Sequence, residues 1–472
     1  MVLSLVSLCA REVVSDHSSS PGWLRWVPGE LYRPLLEAAF TSRRPLAVGE
    51  LVQRWPERTL RVGGRRKRGQ TAPNRLCIQA LLLAVVRGLS DQRCALQVLE
   101  LCGLQGDEGG MGDPMGGWSL TVALCTMVVQ ARAGAQRAQR REGERERKRA
   151  DLFVNARSWE RVRVALSTLG PLKLQCRYLR VEEISVSSIR TLLDLLPHQG
   201  LLGIDVRYSS LGVAGLAELL PLLSTFPALS SLRLHYCNLD FRRDQSGQEE
   251  ALRDLSLGLA KLKELRRLSL TALRLPGQLR VLLSSLPQPL EILELPYLSL
   301  SPADLAYLSC SHHVSTLQQL ELSENRLDEI TLPSIRRLLS QASSSLQHLS
   351  LSGCGLTDGL LGLLLPSLGG CSGLKSLALA LNPLSMAGLM DLVRMAVRMP
   401  SLRHLLYPNP LEDYQPGLPD LPSSAQLLDW PLDEATEINM TSSQLNRVLI
   451  DSGRSDLFLT CDLLNYDKDL MD

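Results

Sequence analysis

Aromatic side chains are scarce in this chain: five Phe, six Trp and nine Tyr among 472 residues, although the hydrophobic share is 45%. So aliphatic a composition suits a Leu-rich solenoid better than a compact enzyme. An excess of charge of one sign is lacking too. The formal net charge of +2 argues against a global field that would draw the chain to nucleic acid or an anionic membrane. Long apolar runs are missing, since Leu76–Val86 and Leu120–Val129 fall well short of the about 20 residues that cross a bilayer. The eleven cysteines are odd in number and lack the clustered caps of extracellular leucine-rich domains. A reducing, cytoplasmic setting is expected. Met1 to Ala10 is apolar, but no basic residue precedes Arg11, so a buried first element is expected in place of a secretory signal.

What the chain does have is a repeat. Leu-x-x-Leu-x-Leu, followed at a fixed offset by Asn, Cys or a small residue and then Leu, recurs at Leu317, Leu320, Leu322, Asn325 and Leu327. It returns at Leu346, Leu349, Leu351, Cys354, Leu356 and at Leu374, Leu377, Leu379, Asn382, Leu384. This is the leucine-rich repeat signature, a short strand and a returning helix in each unit. First leucines at 169, 201, 229, 265, 290, 317, 346, 374 and 402 give a period near 28, enough for a full helix. Gly215 to Leu223, Ala303 to Leu308 and Ser385 to Val397 have the helical spacing. The expected fold is an α/β leucine-rich-repeat horseshoe, a ribonuclease-inhibitor-like solenoid, with a helical N-terminal region.

Three segments follow. Residues 1–150 read as a helical cap, with Leu31–Phe40, Leu76–Leu89 and the shorter Leu96–Leu104 as helices between Gly- and Arg-rich breaks at Gly63–Gly69 and Gly106–Gly117. Residues 151–408 read as the solenoid, opening on the strand at Asp151 to Val154 and carrying a polar loop at Asp240–Glu250. Residues 409–472 read as a tail that caps the open end, with a helix at Ser442–Leu449. Arg65-Arg66-Lys67-Arg68 reads as a solvated loop, with a nuclear-import signal or an anionic docking spot as the alternatives, and the import reading leaves a nuclear pool open. Arg137–Arg149 interleaves Glu with Arg as an exposed salt-bridged helix or linker does. It has no aromatics for base stacking.

Catalysis is not expected, because no nucleophile stands with a partnered base. Cys310, His312 and His313 lack metal-site spacing, and no cofactor, metal or small-molecule substrate is implied. Asn325, Cys354 and Asn382 should bond the backbone inside the repeat. The surface for partners is the inner strand face. Counting seven past each repeat start gives the column Tyr208, Tyr236, Ala272, Tyr297 and Glu324; Arg207, Arg233 and His235 flank the first two. Tyr208 and Tyr236 are expected side by side. Tyr and Arg dominate binding hot spots; Glu294, Glu321 and Glu324 make the later part acidic. Stacking of half-solvated rings on a parallel sheet is the plainer alternative.

The segment Pro28–Pro56, PGELYRPLLEAAFTSRRPLAVGELVQRWP, resembles the N-terminal signature of the PRAME (preferentially expressed antigen in melanoma) family. RYSSLGVAGL (Arg207–Leu216), LSSLRLHY (Leu229–Tyr236), LNPLSMAGL (Leu381–Leu389) and LIDSGRSDLFLTCDL (Leu449–Leu463) extend the resemblance over most of the chain. It implies a non-enzymatic protein-interaction adaptor. One branch of the family is associated with damping Toll-like-receptor and NF-κB signalling by binding the helix-loop-helix part of IκB kinase beta. Members are also thought to be substrate-recognition subunits of cullin–elongin ubiquitin ligases. Carried over, the ligase-docking candidates are Leu31, Leu35, Leu36 and Phe40; an elongin-binding box typically has a small polar start and a Cys in mid-helix.

Overall fold

The computed structural model describes residues 4–15, 26–62, 74–88, 96, 98–101, 118–137, 146–168, 172–238, 248–273, 276–433 and 438–463. They fall into two compact units, Met1–Ser209 and Ser210–Asp472. The basic run Arg65–Arg68, the break Gly106–Gly117 and the repeat start at Leu169 lie outside the described residues.

The first unit carries helices α1 (Leu5–Ser15), α2 (Tyr32–Thr41), α3 (Pro45–Gln53), α4 (Arg75–Gly88), α5 (Trp118–Arg137), α6 (Trp159–Ser167) and α7 (Val186–Leu195). Its strands are β1 (Thr59–Arg61), β2 (Val98–Glu100), β3 (Glu146–Asn155), β4 (Leu172–Glu182) and β5 (Gly203–Arg207). All pair in parallel, in chain order. The helical expectation for 1–150 therefore holds in part. Leu96–Leu104 contains strand β2, not a helix, and β1 and β2 extend the sheet ahead of Asp151. Residues 146–149, expected in a helix or linker, belong to β3. Around β1 only Leu60 and Val62 turn inward, too little periodicity to announce a strand, whereas β2 carries the repeat spacing itself, with Leu96, Leu99 and Leu101 all buried.

The repeat frame also shifts at the start. Leu179 lies opposite Ile204 and Val181 opposite Val206, so the first-leucine position of that repeat is held by Cys176, seven residues after Leu169. Cys176 is buried, and a cysteine packs there as a small hydrophobe.

The second unit carries helices α8 (Gly212–Leu223), α9 (Gln248–Leu259), α10 (Leu279–Leu283), α11 (Pro302–Cys310), α12 (Leu332–Gln341), α13 (Asp358–Gly369), α14 (Met386–Val397), α15 (Ser424–Asp429) and α16 (Ile438–Asp451). Its strands are β6 (Ser231–His235), β7 (Arg267–Thr271), β8 (Ile292–Glu294), β9 (Gln319–Glu321), β10 (His348–Ser350), β11 (Ser376–Ala378), β12 (His404–Leu406) and β13 (Phe458–Thr460). Strand pairing is again parallel and in chain order. Leu293, Leu320, Leu349, Leu377, Leu405 and Leu459 stand opposite one another along it. From Leu293 to Leu405 these central leucines are at most 2% exposed, each contributing about 1.5–3 kcal/mol of burial. The fold is a leucine-rich α/β solenoid. Its loop expected at Asp240–Glu250 is only partly described, and its last three residues begin α9. In the tail, residues 458–460 add a further parallel strand beside β12.

Side chains stitch successive repeats together. Asn325 Nδ2 donates to Leu295 O at 2.7 Å and Leu322 O at 2.9 Å, and its Oδ1 accepts the Leu300 N–H at 3.1 Å. Asn382 makes the same bonds two repeats later. Cys354, in the same slot, sends its Sγ–H to Leu322 O at 3.4 Å. Among the described residues no helix is long and apolar enough to cross a membrane.

Candidate interaction surface

The positions expected to lie on strands are in fact left-handed turns. Tyr208, Tyr236, Ala272, Tyr297 and Glu324 have φ between 49° and 60°, and Gly353 and Leu381 continue the series. Each follows its strand. In the second unit the N–H of Tyr236 donates to Thr271 O, that of Ala272 to Pro296 O, that of Tyr297 to Ser323 O and that of Glu324 to Ser352 O, at 2.9–3.1 Å. The left-handed pose costs about 1–2 kcal/mol at a residue with a Cβ, and each pinned amide offsets part of that. The consequence is a rim on which Tyr236 and Tyr297 stand exposed, while Leu381 at its end packs against the buried Ala378, Ala380 and Leu406.

On that rim Tyr236 is 46% and Tyr297 53% exposed, with the small Ala272 between them. Two strand spacings separate the rings' backbones by roughly 10 Å, so Ala272 floors a slot between two tyrosines. Burial raises the Tyr297 phenol above its ordinary pKa, and the neighbouring Glu324, Tyr236 and Glu321 raise it further. Glu294 accepts from Gln319 Nε2 at 3.0 Å. The slot therefore has aromatic walls and an acidic side, the setting that suits a Lys or Arg side chain.

The other candidates fare unequally. Tyr208 is 54% exposed and belongs to the first unit, whereas Tyr236 belongs to the second. Arg207 is spoken for, with its guanidinium on Asp205 at 2.8–3.0 Å. Arg233 and His235 lie half-buried on β6. Glu324 is held by the tail: Ser424 Oγ donates to its Oε2 at 2.7 Å. Burial raises the Glu324 carboxyl pKa, and that hydrogen bond opposes the shift. Leu35 and Leu36, expected to dock a ligase, are instead 5% and 4% exposed, packed as core of the first unit. Of that set Leu31 is exposed and Phe40 half-buried.

Sequence reasoning missed α1. It is not a buried element. Ala10 and Val14 face inward, while Leu5 is 76% exposed and Val6, Leu8, Cys9 and Val13 are exposed beside it. The small polar Ser4 before Leu5 and the mid-helix Cys9 were the signal that could have found it. His313, by contrast, is no ligand. Its Nδ1 accepts the Leu290 N–H at 3.2 Å and its Nε2 donates to Leu283 O at 3.0 Å, fully buried.

The chain matches the model of the PRAME N-terminal domain over residues 3–108 and that of the PRAME C-terminal domain over residues 157–418. It is 37% identical to leucine-rich repeat-containing protein 14 of Xenopus laevis, across 98% of this chain and 97% of that protein. The Homo sapiens protein of the same name is 34% identical over the same shares. Among solved structures, the leucine-rich repeat-containing protein LegL7 from Legionella pneumophila aligns with 84% of this chain and 99% of its own, at 13% identity and a TM-score of 0.31. With both domains matched and full-length relatives above 30% identity, the chain belongs to the PRAME family.

Proposed function

We propose that the chain is a non-catalytic adaptor that binds a protein segment on the rim of its second unit and, through IκB kinase beta, damps Toll-like-receptor and NF-κB signalling. The mechanism is occlusion, in which the repeats cover a partner segment needed for kinase assembly. The observation that carries the binding part is the slot formed by Tyr236, Ala272 and Tyr297 beside Glu294, Glu321 and Glu324. Exposed tyrosines held by a rigid scaffold lose little freedom on binding, and the acidic flank selects a basic segment. The likeness to the branch discussed above supports the choice of kinase. The test is titration of purified full-length chain with IκB kinase beta. Tyr236→Ala with Tyr297→Ala should weaken binding by about 2 kcal/mol. No binding by the unaltered chain, or equal binding by the double variant, refutes the proposal.

A second reading, a substrate receptor of a cullin–elongin ubiquitin ligase, is favoured by one observation: the exposed Leu5, Cys9 and Val13 on α1. The docking element is then α1, not Pro28–Pro56. Leu5→Asp should abolish recovery of elongin and cullin while leaving kinase binding intact. Cullin recovery that survives this change removes α1 from the interface.

A further inference from the structure

The segment 411–433 is not accounted for by the repeats. It departs beside the repeat of β11, where the Leu411 N–H donates to Leu384 O at 2.9 Å. It then runs back to the repeat of β9, where Ser424 meets Glu324. Along the way it closes on itself. Tyr414 and Leu432 form an antiparallel bridge, the Gln415 N–H donates to Pro431 O at 3.1 Å, and the Tyr414 hydroxyl donates to Leu427 O at 3.1 Å. The buried Asp413 carboxylate braces its root by accepting from Thr441 Oγ1 at 3.0 and 3.1 Å. The result is a self-contained hairpin whose far end is tied to the rim.

The rim is shaped for that tie. Gly353, the next rim position, has φ +65°, and a Cβ there would sit 2.1 Å from Glu324 Oε1. The glycine leaves the notch into which the Glu324 carboxylate turns, and Ser424 meets its other oxygen.

We propose that the hairpin 411–433 is an intramolecular occupant of the acidic end of the rim, latched by Ser424 on Glu324, and that a partner segment offering its own donor to Glu324 displaces it. This rests on the reading of the rim as the partner surface. In the latched state the slot at Tyr236 and Tyr297 is the accessible part; unlatching adds Glu324 to it. A hydroxyl, ammonium or guanidinium donor on the partner makes the exchange one hydrogen bond for another, so the latch gates the end of the surface without a large barrier.

The experiment uses the full chain and its Ser424→Asp, Glu324→Gln and Ser424→Asp/Glu324→Ala variants. Amide hydrogen exchange is followed over residues 414–433 and, as an internal control, over β9 to β11. A second carboxylate facing Glu324 repels it, so Ser424→Asp should speed exchange in 414–433 by about tenfold or more while β9 to β11 keep their protection. Glu324→Gln keeps an acceptor oxygen and should exchange nearly as the unaltered chain does. A fluorescent synthetic peptide of residues 411–433 is then the probe for the vacated rim. It should bind the Ser424→Asp chain about tenfold more tightly than the unaltered chain, whose site is filled in cis. Adding Glu324→Ala should abolish that gain. Unchanged exchange in Ser424→Asp overturns the latch, and faster exchange without peptide binding overturns the displacement. Neither arm contains the kinase, so failure of the proposed partner reads out separately, in the titration described above.

Discussion

Asn382 Oδ1 accepts the backbone N–H of Leu356 at 2.9 Å, from a side chain with no solvent exposure and from the repeat that follows. The same amide gives its Nδ2 to Leu351 O and Leu379 O at 2.9 and 2.8 Å. One side chain thus satisfies backbone groups of two repeats that no water can reach. Asn382→Ala leaves them without that partner, and stability should fall by about 2–4 kcal/mol. Urea denaturation of the two proteins checks this, and a midpoint that stays put would show the turn closing without the side chain.

His313 makes stability depend on pH. Burial lowers its pKa below the usual 6.5, against the pull of its bond to Leu283 O. In the unfolded chain the imidazole takes up a proton near 6.5, whereas the folded chain refuses it until the pH is lower. The unfolded state therefore binds more protons in that window, and stability falls as pH drops through 6.5, by up to about 1.4 kcal/mol per pH unit. Denaturation curves at pH 7.5 and 5.5 should show a slope that His313→Gln reduces. An unaltered slope in the variant would assign it to other groups.

Tyr297→Gly separates scaffolding from binding. At φ +59° glycine relieves the left-handed strain but loosens the unfolded chain, so the net gain is about 0.5 kcal/mol. Melting temperature should hold or rise slightly while partner affinity drops. A clear loss of thermal stability would mark the ring as packing material.

Thiol reactivity should follow burial. Cys9 and Cys310 are exposed, whereas burial pushes Cys77 and Cys371 up to about 11 and Cys125 up to about 12. Thiolate is the reacting form. Maleimide labelling followed by mass spectrometry should modify Cys9 and Cys310 within minutes and these three only in denaturant. Early labelling of Cys125 would show that α5 opens in the folded chain.

The solenoid itself was legible because leucine at every third and fifth place serves one purpose, burial against the neighbouring repeat. The frame failed where the residue changed but the purpose did not, with Cys176 standing in for a leucine. Strands β1 and β13 lack the Leu-x-x-Leu-x-Leu spacing that marks the equally short β8 to β11, whereas β2 has it at Leu96, Leu99 and Leu101, isolated from the regular 28-residue period. Counting from the leucines finds the candidate column, but counting carries no dihedral angles, so it cannot tell a left-handed turn from strand. That Glu324 is engaged by Ser424 is a contact across 100 residues, and no local spacing encodes it. Leu35 and Leu36 drop out of the docking set for a simpler reason, since they lie on the face of α2 that the first unit needs for its own interior.

The pinned amides of the rim separate the scaffold from what it displays. Tyr, Ala, Glu, Gly and Leu already occupy successive sockets in one backbone pose, so what sits in a socket is decoupled from what holds it open. On the reading proposed above, a replacement in one socket should alter contact with the partner without disturbing the leucines behind.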